Sequence, residues 1–122
     1  MQAELKDIVS AEISCPFNEF QPDSHDDFGI SVQLMIGPKG EDSSESFDLL
    51  ICSPEWIKQA YVADGYTWGR NMLVVLEYNR VLIRGAIERY ISRCTGSDWS
   101  EIAQKLSRIG GWEFEDYQAP RE

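Results

Sequence analysis

The 122-residue chain has few of the residues that an active site usually needs. Its one histidine, His25, lies in the loop segment "DSHDD", where little is expected to hold a catalytic base in place. The three cysteines, Cys15, Cys52 and Cys94, form no Cys-x-x-Cys pair, which argues against a disulfide framework and a zinc site. We expect three buried free thiols and a solvated loop histidine.

The sequence is also poor in long apolar runs and in positive charge. Its longest apolar stretches, "MLVVL" and "FDLLIC", are far shorter than a membrane span, and its N-terminus does not resemble a signal peptide. There are 11 Lys and Arg residues against 21 Asp and Glu, a net charge of −10. We expect a cytoplasmic protein that binds neither nucleic acid nor membrane and attracts basic partners. The competing interpretation is that acidity only keeps the domain soluble.

The acidic residues are concentrated in the first half of the chain. Residues 1–61 carry 12 acids against three lysines, whereas residues 62–122 carry nine acids against eight bases. The main clusters, "DSHDD" and "GEDSSE", lack the alternating oxygens and the bend glycine of a calcium loop. We therefore expect solvated surface with no metal and no cofactor.

Alternation of apolar and polar residues predicts the sheet. A clean period of two over residues 28–36 indicates a strand with one face in the core, and residues 47–52 predict a second, antiparallel to it. Residues 3–14 favour a less regular first strand. Met72–Tyr78, apolar on both faces, predicts a central strand, and the alternation of Trp112, Phe114 and Asp116 predicts a short final one.

Capping residues and helical periodicity predict three helices. Ser53 is a suitable N-cap for a helix that ends at Asp64-Gly65, and residues 79–94 form a helix with one apolar face. Asp98 and Glu101 form a capping box for a third helix, which Gly110-Gly111 would end as a left-handed C-cap. The order of elements predicts one α+β domain over residues 1–122, with an antiparallel sheet of about four strands and helices packed on one face.

The turn "IGPKG" is interpreted as a hairpin tip rather than a phosphate cradle. A phosphate-binding loop would lead into a helix, whereas here a strand follows. Pro38 presets its own φ, and Gly37 and Gly40 allow unusual backbone angles. The acids that follow would repel a phosphate, so the tip presents negative charge to solvent.

One of the four tryptophans is expected to lie on the surface. Trp56, Trp99 and Trp112 are expected to belong to the core. Trp68 lies beside Tyr66 in the loop "DGYTWGRN", where a tryptophan is a candidate recognition hot spot.

Several ordered motifs resemble the immunity protein 8 family of bacterial polymorphic toxin systems, which includes partners of contact-dependent growth-inhibition toxins. The resemblance spans about residues 28–117, and its most specific pieces are Ile36-Gly37, Phe47, Cys52 to Trp56, and Trp99 to Tyr117. It implies a small α+β protein without catalysis, encoded beside a toxin whose C-terminal domain it binds and blocks in the cytoplasm. These motif residues look like fold determinants, so they are not carried over as toxin contacts.

Many such toxins are nucleases with basic grooves, so we expect a cognate toxin domain with a basic surface. The contact is predicted to involve the acidic loops and the aromatic loop, namely Asp23, Asp26, Asp27, Glu41, Asp42, Glu45, Asp64, Tyr66 and Trp68. Two alternatives remain open. One is an acidic adaptor module with a partner that is not a toxin, and the other is a small metal-dependent hydrolase that uses His25 and the loop acids.

Overall fold

Five strands and three α-helices make up the part of the chain that the computed structural model describes, residues 1–114. The strands are β1 (Ala3–Val9), β2 (Gly29–Pro38), β3 (Glu45–Cys52), β4 (Met72–Val74) and β5 (Gly111–Trp112), and the helices are α1 (Pro54–Ala60), α2 (Arg80–Arg93) and α3 (Trp99–Leu106). A short 3-10 helix lies between β1 and β2. The predicted α+β class is confirmed.

The strands form one sheet in the order β1-β2-β3-β4. The predicted antiparallel hairpin of β2 and β3 is confirmed, and β1 pairs with β2 in the same sense. Two short strands share the outer edge of β3, where Met72 of β4 lies opposite Leu50 and Gly111 of β5 lies opposite Asp48. The β3–β4 pair is parallel, so this sheet contains one parallel ladder beside its antiparallel ones.

The core lies between one face of the sheet and the helices α2 and α3. Phe28, just before β2, and the positions of β2 and β3 predicted to face the core are all buried: Phe28, Ile30, Val32, Leu34, Ile36, Phe47, Leu49 and Ile51. The opposite side of this core is supplied by Ile83, Ile87 and Ile91 of α2 and Ile102, Ala103 and Leu106 of α3. Each large apolar side chain buried in this way contributes about 1.5–3 kcal/mol to the stability of the fold.

A bulge in β1 explains why the sequence shows no period of two there. Leu5 lies opposite Ile36 and Ile8 lies opposite Leu34, and both residues of β1 are buried although they are three positions apart. The register shifts between them at Lys6, and one extra residue in a strand returns the next side chains to the same face. The strand ends at Val9, so the prediction of a strand to residue 14 was too long.

The prediction of a central strand over Met72–Tyr78 is wrong. β4 has three residues and lies at the edge of the sheet, and the side chains of Val74 and Leu76 are 48% and 78% exposed. The backbone N–H of Val75 donates to the carbonyl of Cys52, the last residue of β3. Because β3 ends there, the chain after Val75 has no strand to pair with and leaves the sheet.

Ser53 occupies the predicted N-cap position of α1, but its hydroxyl does not cap the helix. The Ser53 Oγ instead accepts a hydrogen bond from the backbone N–H of Phe28 at 3.0 Å, which ties the start of α1 to the start of β2. The helix ends at Ala60, before the predicted Asp64-Gly65 end, and turns follow it.

Helix α1 lies apart from the core of the other two helices. It contributes no residue to the core cluster, and the ring of Trp56 lies where a Cβ on Gly29 would be, within 2.2 Å. Gly29 belongs to the odd-numbered positions of β2, with Ser31 and Gln33, which point away from the core. Trp56 therefore packs on the sheet face opposite α2 and α3.

The cap of α3 is confirmed, with one change in its partners. The Asp98 carboxylate accepts the N–H of Glu101 at 2.9 Å, while the Glu101 carboxylate accepts both the N–H and the hydroxyl of Ser97. The hydrogen bonds from Ser97 hold the pKa of the exposed Glu101 carboxyl below its ordinary value.

The prediction of a left-handed C-cap at Gly110-Gly111 is wrong, because neither glycine has a positive φ. A Cβ on Gly110 would lie 3.0 Å from the Cβ of Phe47, so this glycine serves close packing instead. Helix α3 ends at Leu106, and β5 includes Gly111 and Trp112 only. The predicted strand residue Asp116 lies outside the described residues.

We predict that Gly37→Ala destabilises the protein and that Gly85→Ala stabilises it. A Cβ on Gly37 would lie 1.8 Å from the carbonyl oxygen of Ser43, so backbone must shift, at a cost of about 1–3 kcal/mol. Gly85 lies within α2 with no atom within 4 Å of a built Cβ, and alanine there gains about 1 kcal/mol. Urea unfolding of both variants measures the two effects, and a Gly37→Ala protein as stable as the parent would contradict the close approach.

Candidate functional site

The two predicted acidic segments lie at opposite ends of β2. The loop that contains Asp23, Asp26 and Asp27 leads into the first residue of this ten-residue strand, and the hairpin tip with Glu41 and Asp42 follows its last residue. At about 3.3 Å per residue, the strand separates the two segments by roughly 30 Å. The structure therefore does not bring the predicted acids together into one patch.

Lysine offsets part of the negative charge at the hairpin end. The Lys6 ammonium lies 2.7 Å from the Glu4 carboxylate and donates to the backbone carbonyl of Glu41 at 2.6 Å. The hydrogen bond from Lys6 holds the pKa of the exposed Glu4 carboxyl below its ordinary value. The prediction for the turn holds for Gly40, which has a φ of +84°, and is wrong for Gly37, which has no positive φ and lies with Pro38 inside β2.

Glu45, one of the predicted contact residues, makes an internal contact. Its carboxylate accepts a hydrogen bond from the indole Nε1–H of Trp112 at 2.6 Å, and the Trp112 ring is stacked on Phe47 with 6.5 Å between centroids. These contacts hold β5 against the outer edge of β3. Glu45 therefore has a clear role in the fold.

The loop with the three aspartates is fixed to the chain that follows β4. The backbone N–H of Tyr78 donates to the carbonyl of His25 at 2.6 Å, and the buried Tyr78 ring contacts Phe20 and Phe28 edge to face. His25 itself is exposed, as predicted.

The aspartates of this loop have no basic partner in the part of the chain that is described. The ion pairs found within residues 1–114 join Lys6 to Glu4, Arg84 to Glu88 and Lys105 to Glu101. Asp26 accepts a hydrogen bond from the hydroxyl of Ser24 at 2.9 Å, and Asp23 and Asp26 are exposed while Asp27 is half-buried. This loop therefore has no basic side chain that offsets its charge. At the hairpin end, Lys6 offsets the charge of Glu4, whereas the carboxylates of Glu41 and Asp42 have no ion pair within residues 1–114.

The aromatic loop after α1 is exposed, as predicted. The side chain of Trp68 is 91% exposed and that of Tyr66 is 65% exposed, and the two rings meet edge to face at 6.4 Å. Trp56, Trp99 and Trp112 are all partly buried. Asp64, also in this loop, is exposed.

Four further apolar residues are exposed in the chain that follows this loop, and sequence reasoning missed them as surface residues. They are Val74, Leu76, Val81 and Leu82. The first two were assigned to a central strand. The exposure of the other two was predictable from helical periodicity, because Val81 and Leu82 lie outside the buried face of α2 that begins at Ile83.

The described residues hold little for covalent or metal chemistry. Within residues 1–114 no three His, Cys, Asp or Glu side chains converge to hold a metal ion. Cys52 and Cys94 are buried as predicted, and burial raises the pKa of both thiols. The prediction of a third buried thiol is wrong, because Cys15 is exposed in the loop after β1.

A comparison with protein families decides what kind of protein this is. The family model described as immunity protein 8 matches residues 3–117. The chain belongs to the immunity protein 8 family. The resemblance seen from residue 28 onward thus extends to the beginning of β1, and an immunity protein of this family acts against a toxin.

No curated protein and no solved structure matches this immunity protein. No helix within residues 1–114 is long and apolar enough to cross a membrane.

We predict that Glu45→Ala lowers the stability of this immunity protein by about 1.5–3 kcal/mol, because it removes a charge-assisted hydrogen bond to Trp112. Glu41→Ala, at an exposed position of the hairpin tip, should change stability by less than about 0.5 kcal/mol. Urea unfolding followed by tryptophan fluorescence compares the two variants. Equal stability of both would show that the Glu45 contact does not hold β5.

We also predict that Tyr78→Phe does not destabilise the protein and raises its stability by up to about 1 kcal/mol. The Tyr78 hydroxyl is buried and has no hydrogen-bond partner among the described residues, so removing it removes a desolvated polar group. Its ring contacts with Phe20 and Phe28 would remain. A drop in the unfolding midpoint would mean that the hydroxyl makes a stabilising bond.

Proposed function

We propose that this immunity protein neutralises a nuclease toxin domain in the bacterial cytoplasm by binding its basic substrate groove. Family membership supports the immunity role, and charge supports the choice of target. The observation that carries the proposal is the loop with Asp23, Asp26 and Asp27, whose carboxylates have no Lys or Arg partner within residues 1–114. Carboxylates that keep their charge are free to pair with the lysines and arginines of another protein.

The negative charge of this protein affects both the rate of binding and the way in which the toxin is blocked. A protein with a net charge of −10 is attracted over several ångströms to a positive groove, which raises the rate of encounter. Carboxylates in the groove occupy the positions of the substrate phosphates, so the toxin is blocked without being chemically changed. The partner is therefore a basic protein domain.

Inhibition by binding also fits the chemistry of the side chains. The His25 ring lies against the ring of Tyr78, with 6.3 Å between centroids. The thiols of Cys52 and Cys94 are buried with raised pKa values, so they stay protonated and unreactive at neutral pH. We propose that this protein has no catalytic activity of its own.

The competing adaptor function differs in its genetic setting. An immunity gene lies directly after a large toxin gene, as in the polymorphic and contact-dependent systems, and its product protects the cell that makes it. Co-expression of this protein with the toxin domain encoded by the adjacent gene distinguishes the two, because an adaptor would not restore growth.

We predict that reversing the charge at Asp26, Asp27, Glu41 and Asp42 to lysine slows association with that toxin domain by about tenfold or more at low salt. Stopped-flow measurements over a range of salt concentrations should show a steep salt dependence for the parent and a shallow one for the variant. All four side chains are exposed or half-buried, so the fold should be unaffected, which a matching unfolding curve confirms. Unchanged association at low salt would contradict the acidic contact.

A further inference from the structure

We propose that the toxin docks on one end of the molecule, which we call the docking end, formed by the loop 23–27 and the segment 62–82. This inference rests on the proposed toxin-binding function and adds where the toxin binds and what its surface must offer. It assigns an apolar centre to the segment 62–82 and an acidic rim to the loop 23–27. It leaves the hairpin tip at Glu41 and Asp42 outside the contact.

Exposed apolar side chains are concentrated in the segment 62–82. Among the described residues, ten large apolar side chains are exposed, and seven of them lie in this segment. The seven are Val62, Tyr66, Trp68, Val74, Leu76, Val81 and Leu82. Single exposed apolar residues are ordinary, whereas seven within 21 consecutive residues are a local excess, which we assign to an interaction surface.

The topology explains why these side chains have no cover. Strand β4 is the last in the path of the sheet, so beyond Val74 no further strand packs beside it within residues 1–114. Leu73 and Val75 turn toward the core, which directs Val74 and Leu76 outward. The chain then enters α2, whose core face begins at Ile83 and leaves the first turn of the helix exposed.

One residue joins this apolar segment to the acidic loop. Tyr78 lies between Leu76 and the start of α2, and its backbone N–H donates to the carbonyl of His25 at 2.6 Å. Asp26 and Asp27 follow His25 directly in the chain, and the exposed Glu77 precedes Tyr78. The loop 23–27 therefore lies next to the chain around Leu76, at the end of the sheet where β2 begins and β3 ends. The chain before β4 lies farther back along β3, where the carbonyl of Asn71 accepts the N–H of Leu50.

The negative charge of the loop 23–27 indicates what kind of partner binds the docking end. A second copy of this chain would bring the same aspartates together, and a net charge of −10 on each copy opposes that contact. A toxin domain with an apolar patch ringed by lysine and arginine fits both parts of the surface. Trp68, nearly fully exposed, is the natural anchor because tryptophan is among the commonest hot-spot residues.

The test compares matched variants in a titration calorimeter against the toxin domain of the adjacent gene. Trp68→Ala and Leu76→Ala should each weaken binding by about tenfold or more, as hot-spot truncations do. Val9→Ala is the apolar control, since Val9 is 40% exposed on the opposite edge strand, and it should change Kd by less than about threefold. Asp26→Asn with Asp27→Asn should weaken binding, whereas Glu41→Gln with Asp42→Gln should not.

The outcomes separate this inference from the proposed function. If the parent binds and inhibits the toxin while Trp68→Ala and Leu76→Ala bind equally well, the apolar centre is wrong and the proposed function stands. If the parent neither binds nor inhibits the toxin, the proposed function fails, and the docking end fails with it. Sedimentation should show a monomer, and a dimer that Trp68→Ala dissociates would mean that a second copy occupies this surface.

Discussion

The alternation of side chains along β2 is the constraint on which the rest of the structure depends. Its even-numbered residues are buried under α2 and α3, and its odd-numbered residues point to the other face. Two of the odd-numbered residues, near the two ends of β2, are glycines. The Trp56 ring lies against Gly29, and the Ser43 carbonyl lies against Gly37. One strand therefore positions the core, the first helix and the hairpin tip. Because it is about 30 Å long, it also separates the two acidic segments.

That separation gives the two ends of the molecule different chemistry. At the hairpin end, Lys6 contacts Glu4 and the backbone of Glu41, so the charge of Glu4 is offset, and no large apolar side chain is exposed beside Glu41 and Asp42 within residues 39–44. At the other end, the aspartates that follow His25 have no basic partner within residues 1–114, and they lie close to the chain that carries the exposed Leu76. An inhibitor needs both features in one place, since apolar anchors supply affinity and charge supplies rate and register. An immunity protein of this family acts against a toxin, so a toxin domain is the partner that we propose for this surface.

Much of the fold was predictable from local patterns, and the misses have physical reasons. The alternation of β2, the apolar face of α2 and the cap at Asp98 are all short-range signals, and the structure confirms them. The register shift at Lys6 and the short length of β4 depend on partner strands, which sequence periodicity does not describe. Trp68 was recognisable because a tryptophan in a turn-rich loop has nothing to pack on. Leu76 was not, because the apolar run Met72–Tyr78 has the pattern of a central strand, although the strand ends at Val74.

The central claim is that the toxin covers the end of the sheet where β2 begins and leaves the hairpin tip in solvent. Hydrogen exchange measured by mass spectrometry on the free protein and on its complex with the toxin domain of the adjacent gene tests this most directly. The account predicts that peptides covering residues 23–27 and 62–82 become protected in the complex while residues 39–44 exchange as in the free protein. Protection confined to residues 39–44, or to the outer surface of α3, would contradict it.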